Sequence, residues 1–201
     1  MASLIFAVLA MALLAPAPAS AQNYSEGYKF LKAVKDKDGQ KVLDMLSGGG
    51  ATVIDARDIT TGESALHIVV ERRDLTWLRF LLTKGANPNI RDNKGVTPLV
   101  LATQIGFIDG AGQLIAKGAK VDIPNSTGET PLIAAVHNHD IELLRLLLHA
   151  GADPDRADSS GRSARDYAKR EGAKSQLVEE IEKNERPKNE REGASSYGPS
   201  I

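Results

Sequence analysis

The 201-residue chain carries 25 Lys and Arg against 26 Asp and Glu, contains no cysteine, and is 42% hydrophobic but only 4% aromatic. A formal charge of -1 excludes the broad positive field that sustains non-specific nucleic-acid binding. The absence of cysteine excludes disulfides, thiolate zinc sites and thiol nucleophiles. The charge is unevenly placed, because residues 1–21 hold none of it.

That first segment contains the apolar run Leu4 to Ala15, followed by Pro16, Pro18 and the small residues Ala19-Ser20-Ala21. The run is too short to cross a hydrocarbon core of ~30 Å as a helix, and the prolines break any extension of it. An apolar centre followed by A-x-A has the pattern of a secretory signal, with cleavage expected between Ala21 and Gln22. No Lys or Arg precedes the run, so an uncleaved N-terminal anchor on a cytoplasmic adaptor is the competing expectation. Export leads to a periplasmic or secreted protein that is stable without disulfides.

Beyond residue 22 the chain repeats. Gly62, Gly95, Gly128 and Gly161 are spaced by 33 residues, as are Gly85, Gly118 and Gly151, each of the latter followed by alanine. Ser64, Thr97, Thr130 and Ser163 stand where helix N-caps are needed, with Pro98 and Pro131 at the first helical position. A short apolar helix follows each cap. A second helix then carries apolar residues at i, i+3 and i+4, such as Leu143, Leu144, Leu147 and Leu148. The glycine of each Gly-Ala pair suits a left-handed C-cap, and Asn87-Pro88-Asn89 or Asp153-Pro154-Asp155 is turn chemistry into the next unit. No unit can bury both helices alone, so neighbours must stack into a solenoid.

The segments Gly128-Glu129-Thr130-Pro131-Leu132 and Leu146-Leu147-Leu148-His149-Ala150-Gly151-Ala152-Asp153 resemble the ankyrin repeat closely, and Ser64-Ala65-Leu66-His67 resembles it loosely. The resemblance implies an all-α ankyrin-repeat solenoid of about five stacked helix-turn-helix units with short β-hairpin-like turns. Expected units are 24–57, 58–91, 92–124, 125–157 and 158–184, within a repeat domain of 22–184 between the signal (1–21) and a disordered tail (185–201). The end units are degenerate, as caps of a repeat array must be. The first lacks the T-P-L start, and Arg165 replaces leucine in the last. Trp77, in an apolar run, is expected in the core.

The histidines offer little chemistry. His67 occupies the place where the resemblance implies hydrogen bonding within the turn network. His137 and His139 flank one residue at a helix end and are a candidate metal or enzymatic pair, although i and i+2 point apart on a helix. His149 sits near a helix C-terminus, where positive charge is favoured. No serine elbow, phosphate loop or H-E-x-x-H is present. The chain is therefore expected to be no enzyme, to need no metal or cofactor, and to act as a monomer on a protein partner.

The resemblance places variable contact positions along a concave face. They comprise Glu63, Glu71 and Arg72 in the second unit, Lys94, Val96, Gln104 and Ile105 in the third, and Glu129, His137 and Asn138 in the fourth. Arg162 and Arg170 continue the line. Val96 and Ile105 are expected to be exposed apolar groups in mid-array, as at an interface core, although single exposed apolar side chains are also normal. Gly110 and Gly112 interrupt the third unit's second helix, each at a cost of ~1 kcal/mol relative to alanine. Either a hinge or simple drift in sequence explains them.

Overall fold

The computed structural model describes residues 25–47, 53–170, 172 and 175–187. Residues 1–24, where a signal is expected, the Gly48-Gly49-Gly50 connection and the tail from residue 188 on lie outside them. Ten α-helices and no strand are found among the described residues, which makes the fold the expected all-α stack. They form five pairs: α1 (Glu26–Lys35) with α2 (Gly39–Ser47), α3 (Ala65–Glu71) with α4 (Leu75–Thr83), and α5 (Pro98–Gln104) with α6 (Ile108–Ala116). The series ends with α7 (Pro131–His137) paired with α8 (Ile141–His149), and α9 (Ala164–Arg170) with α10 (Gln176–Asn184).

The first helices of successive pairs pack on one another to make an inner row, and α4, α6, α8 and α10 make an outer row. Leu99, Leu114, Leu132, Ile133, Leu143, Leu144, Leu147 and Leu148 are fully buried between the rows. The core is aliphatic, with Phe30 the one fully buried phenyl, phenol or indole ring among the described residues. Trp77 is only half-buried, stacked edge-on to Phe80 with ring centroids 5.7 Å apart. It therefore flanks the core that it was expected to enter.

Helix starts follow the cap chemistry. Thr97 and Thr130 accept hydrogen bonds from Val100 and Ile133 N–H, and Asp74 and Asp140 do the same for α4 and α8. Helix α6 lacks such a bond, because Phe107 stands at its N-cap. A Cβ at Gly110 would lie 2.3 Å from the Phe107 ring. Gly110 is thus a seat for that ring, which explains it better than a hinge or drift. Gly112, by contrast, faces open space.

Between the two helices of a unit the chain turns through a left-handed residue: Lys37 (φ 58), Arg73 (φ 53), Gly106 (φ 67) and His139 (φ 55). Between units it forms hairpins whose backbones bond across the stack. Asn93 N–H donates to the Thr61 carbonyl (3.0 Å), Ser126 N–H to Lys94 (2.9 Å) and Ser159 N–H to Thr127 (3.0 Å). This close approach is what requires glycine at the tips. A Cβ on Gly128 (φ 83) would lie 2.5 Å from Ser159 N, whereas one on Gly161, the last tip, would meet nothing within 4 Å.

Candidate functional site

Each hairpin tip is braced by one side chain. Asp58 Oδ1 accepts from Thr60 and Thr61 N–H, and Asp92 Oδ1 from Lys94 and Val96 N–H. Asn125 and Asp158 do the same for Thr127 with Glu129 and for Ser160 with Arg162. Hydrogen bonds from Thr61 and Thr60 hold the Asp58 carboxyl below its ordinary pKa. Burial opposes ionisation of Asp158, but the Tyr167 hydroxyl (2.6 Å) and the tip donors outweigh it and lower its pKa strongly. Asp58, Asp92, Asn125 and Asp158 are thus the tip scaffolds. Their spacing of 34, 33 and 33 residues is visible in the chain.

The tips and inner helices hold all ten expected contact residues, but four of them are committed to the stack. Val96 is only 9% exposed, and its carbonyl accepts from His67 Nε2 (3.0 Å). The Ser64 N–H at His67 Nδ1 (3.2 Å) leaves Nε2 as the protonated nitrogen. Burial lowers the pKa of His67 and keeps the ring neutral. Ile105 is half-buried against the core, with its carbonyl accepting from Arg73. The expected exposed apolar centre is therefore absent at both positions, because hairpin arm and helix end fold inward.

Arg72 and Asn138 serve as inter-unit caps. Arg72 donates to the Val34 carbonyl at the end of α1 (2.7 Å), pairs with Asp74 (3.2 Å) and lies over the Trp77 ring (5.4 Å). Asn138 Nδ2 donates to the Thr103 and Gln104 carbonyls at the end of α5 (3.0 and 2.9 Å). Both place donors on helix-end carbonyls of the preceding unit, adding to the Lys37 N–H on Val34 and the Gly106 N–H on Thr103.

The other residues form a surface. Glu71 and Lys94 are exposed, and their side chains enter no ion pair or hydrogen bond among the described residues. Glu63 is half-buried beside the first tip. Glu129 links three neighbours, accepting from Gln104 Nε2 (2.7 Å) and Asn125 Nδ2 (3.0 Å) and meeting His137 Nδ1 at 3.2 Å. The His137 ring packs edge-on to Tyr167, with centroids 4.5 Å apart. Two residues escaped the sequence reading. Tyr167 lies in the degenerate last unit. Ile59 is an extra residue in the first tip and is 98% exposed. The extra residue itself was readable, since Asp58 to Gly62 is one longer than Asp92 to Gly95.

No group of three or more His, Asp or Glu that could hold a metal is found among the described residues. His139 does come round to share a hollow with His137, because its left-handed turn takes it off the helix. The i, i+2 separation therefore does not part these rings as a helix would.

Five helix pairs with a ladder of hairpin tips define a repeat solenoid that presents a continuous face. The family model for ankyrin repeats (3 copies) matches residues 30–125, 66–158 and 106–186, and the chain belongs to that family. It is similar to a putative ankyrin repeat protein, FPV031, of fowlpox virus (37% identity over 62 residues, 31% of this chain and 18% of the relative). It is also similar to diacylglycerol kinase iota of Rattus norvegicus (37% over 82 residues, 41% and 8%) and to oxysterol-binding protein homolog 1 of Saccharomyces cerevisiae (40% over 58 residues, 29% and 5%). The chain thus spans less than a fifth of the length of these relatives. No helix among the described residues is long and apolar enough to cross a membrane.

Proposed function

We propose that this chain is an exported, non-catalytic protein-binding module of a bacterial envelope, acting as a monomer through the concave face of hairpin tips and inner helices. The observation that carries the reading is the tip ladder. It holds Ile59 and Lys94, with Glu71 at the end of α3, as exposed side chains on one fixed frame, and the Lys94 N–H and carbonyl are already bonded within it. Such an array loses little conformational entropy on binding. Ile59 takes the anchoring role that Val96 and Ile105 cannot. Membership of the ankyrin family supports a protein partner, and the uncharged segment of residues 1–21 supports export.

An inhibitor that masks one secreted enzyme and a scaffold for several weaker partners are the two forms of this reading. Affinity capture from the native envelope fraction separates them by the number and strength of the proteins retained. The double variant Ile59→Asp, Lys94→Glu is expected to abolish capture and leave thermal unfolding nearly unchanged. Full capture by that variant removes the face from the proposal. N-terminal sequencing of the mature protein tests export, since a chain starting at Gln22 requires cleavage after Ala21 and one starting at Met1 contradicts it.

A further inference from the structure

A hollow of about 310 Å³ lies where α7 and α9 end, lined by Val136, His137, His139, Tyr167 and Arg170. Its two rings are fixed from behind. Glu129 meets His137 Nδ1, and Asp158 accepts from the Tyr167 hydroxyl, so the walls are set before any ligand arrives. Those two carboxylates are absent from the lining, and their oxygens are occupied by Gln104, Asn125 and the Ser160 and Arg162 tip donors. The carbonyls of Ala134, Val136 and Ala135 in α7 are also taken, by the N–H groups of Asn138, His139 and Asp140.

What remains in the lining is positive. Arg170 is exposed at the end of α9 and makes no ion pair or hydrogen bond among the described residues. Two imidazoles stand beside it, and Val136 provides an apolar patch. Among the described lining residues a cation would meet a guanidinium and no carboxylate, which disfavours a metal despite the two histidines. A carboxylate finds a forked donor of fixed charge. Arg162 joins Arg170 as an exposed cation at this end of the face, whereas Glu63 and Glu71 near α3 stand with Arg72 and Arg73.

We infer that this hollow is the seat for an aspartate or glutamate side chain of the protein partner, with Arg170 as the principal recognition residue. The inference rests on the proposed concave-face binding and adds the partner's chemistry and orientation. The acidic part of the partner lies over α9. Charge pairing of this kind fixes register more than it adds affinity.

The full chain is titrated with pentaglutamate, with pentalysine and with zinc ion alone, and followed by 1H–15N NMR at low salt. The expected result is a saturable shift around His137–His139 and Tyr167–Arg170 with pentaglutamate only, lost in Arg170→Gln. Binding of pentalysine or zinc there, no saturable shift at millimolar peptide, or an unchanged shift in Arg170→Gln overturns the inference. Capture of the native partner is then compared for Arg170→Glu and for Ile59→Asp, Lys94→Glu. A tenfold or greater loss with Arg170→Glu supports the seat. Capture that fails only in the tip variant retains the face and overturns the seat, whereas capture intact in both overturns the face itself.

Discussion

At the N-terminal end of the stack, α1 buries Phe30, Leu31, Ala33 and Val34 against its neighbours, while α2 fully covers only Val42. Leu43 is left 38% exposed, and α2 has no packing on α4 like that joining α4 to α6 or α8 to α10. At the C-terminal end, α10 also buries Leu177, Val178 and Ile181, but polar links surround that core. Arg145 pairs with Glu180, Arg165 with Asp155 (2.7 Å) and with Glu185, and His149 Nε2 meets Asn184 at 3.1 Å. Glu185 and Arg186, expected to begin a disordered tail, take part in this clasp, the latter by donating to the His149 carbonyl. One fold is thus terminated by apolar burial at one end and largely by ionic closure at the other. The two ends should answer differently to cavity mutations and to acid.

The largest expected effect breaks the apolar end. Phe30→Ala removes this fully buried phenyl ring and is expected to cost about 3–5 kcal/mol in urea unfolding. Amide exchange should show α1 and α2 opening while α8 to α10 stay protected. Equal loss of protection at both ends would show that the stack unfolds as one unit and remove the contrast.

The next effect belongs to the ionic end. Hydrogen bonding to Arg145 holds Glu180 at about 2, below the ordinary 4.5. A carboxylate lowered in the folded state supplies stability that is complete above about 4.5 and is lost as pH falls toward about 2. Amide exchange of α10 should therefore accelerate across that window before exchange of α1 does. Glu180→Gln should raise α10 exchange at neutral pH and flatten its acid dependence. If α10 exchange is the same in wild type and variant at pH 7, the clasp does not hold the helix. The smallest effect is a control on the loose outer helix: Leu43→Gln should change stability by no more than about 0.5 kcal/mol.

Much of the fold was legible because its chemistry recurs. Gly62, Gly95 and Gly128 return every 33 residues because a Cβ there would lie 2.6, 2.9 and 2.5 Å from the next tip's backbone nitrogen, a neighbour that Gly161 lacks. The caps at Thr97 and Thr130 recur because each helix start needs an acceptor. The turn between the paired helices was less visible. Its left-handed residue is Lys37, Arg73, Gly106 or His139, so position recurs while residue type does not. The candidate face was only half legible for a related reason. Arg72, Val96 and Asn138 look exposed in their own units and are claimed by atoms some 30 residues or more away: Val34, His67 and Thr103. Tyr167 lies in the helix ARDYAKR, where departure from the repeat concealed its contacts with His137 and Asp158.

The tip ladder also governs where the chain tolerates a change of length. The bonds from Asn93, Ser126 and Ser159 act as a ruler, because each tip must meet the preceding one in phase. A residue added at the second, third or fourth tip would throw two neighbours out of step. The first tip accepts from Asn93 and, among the described residues, has no earlier tip to match. Ile59 is inserted there, the one hairpin in which an extra residue leaves the beat of the array intact.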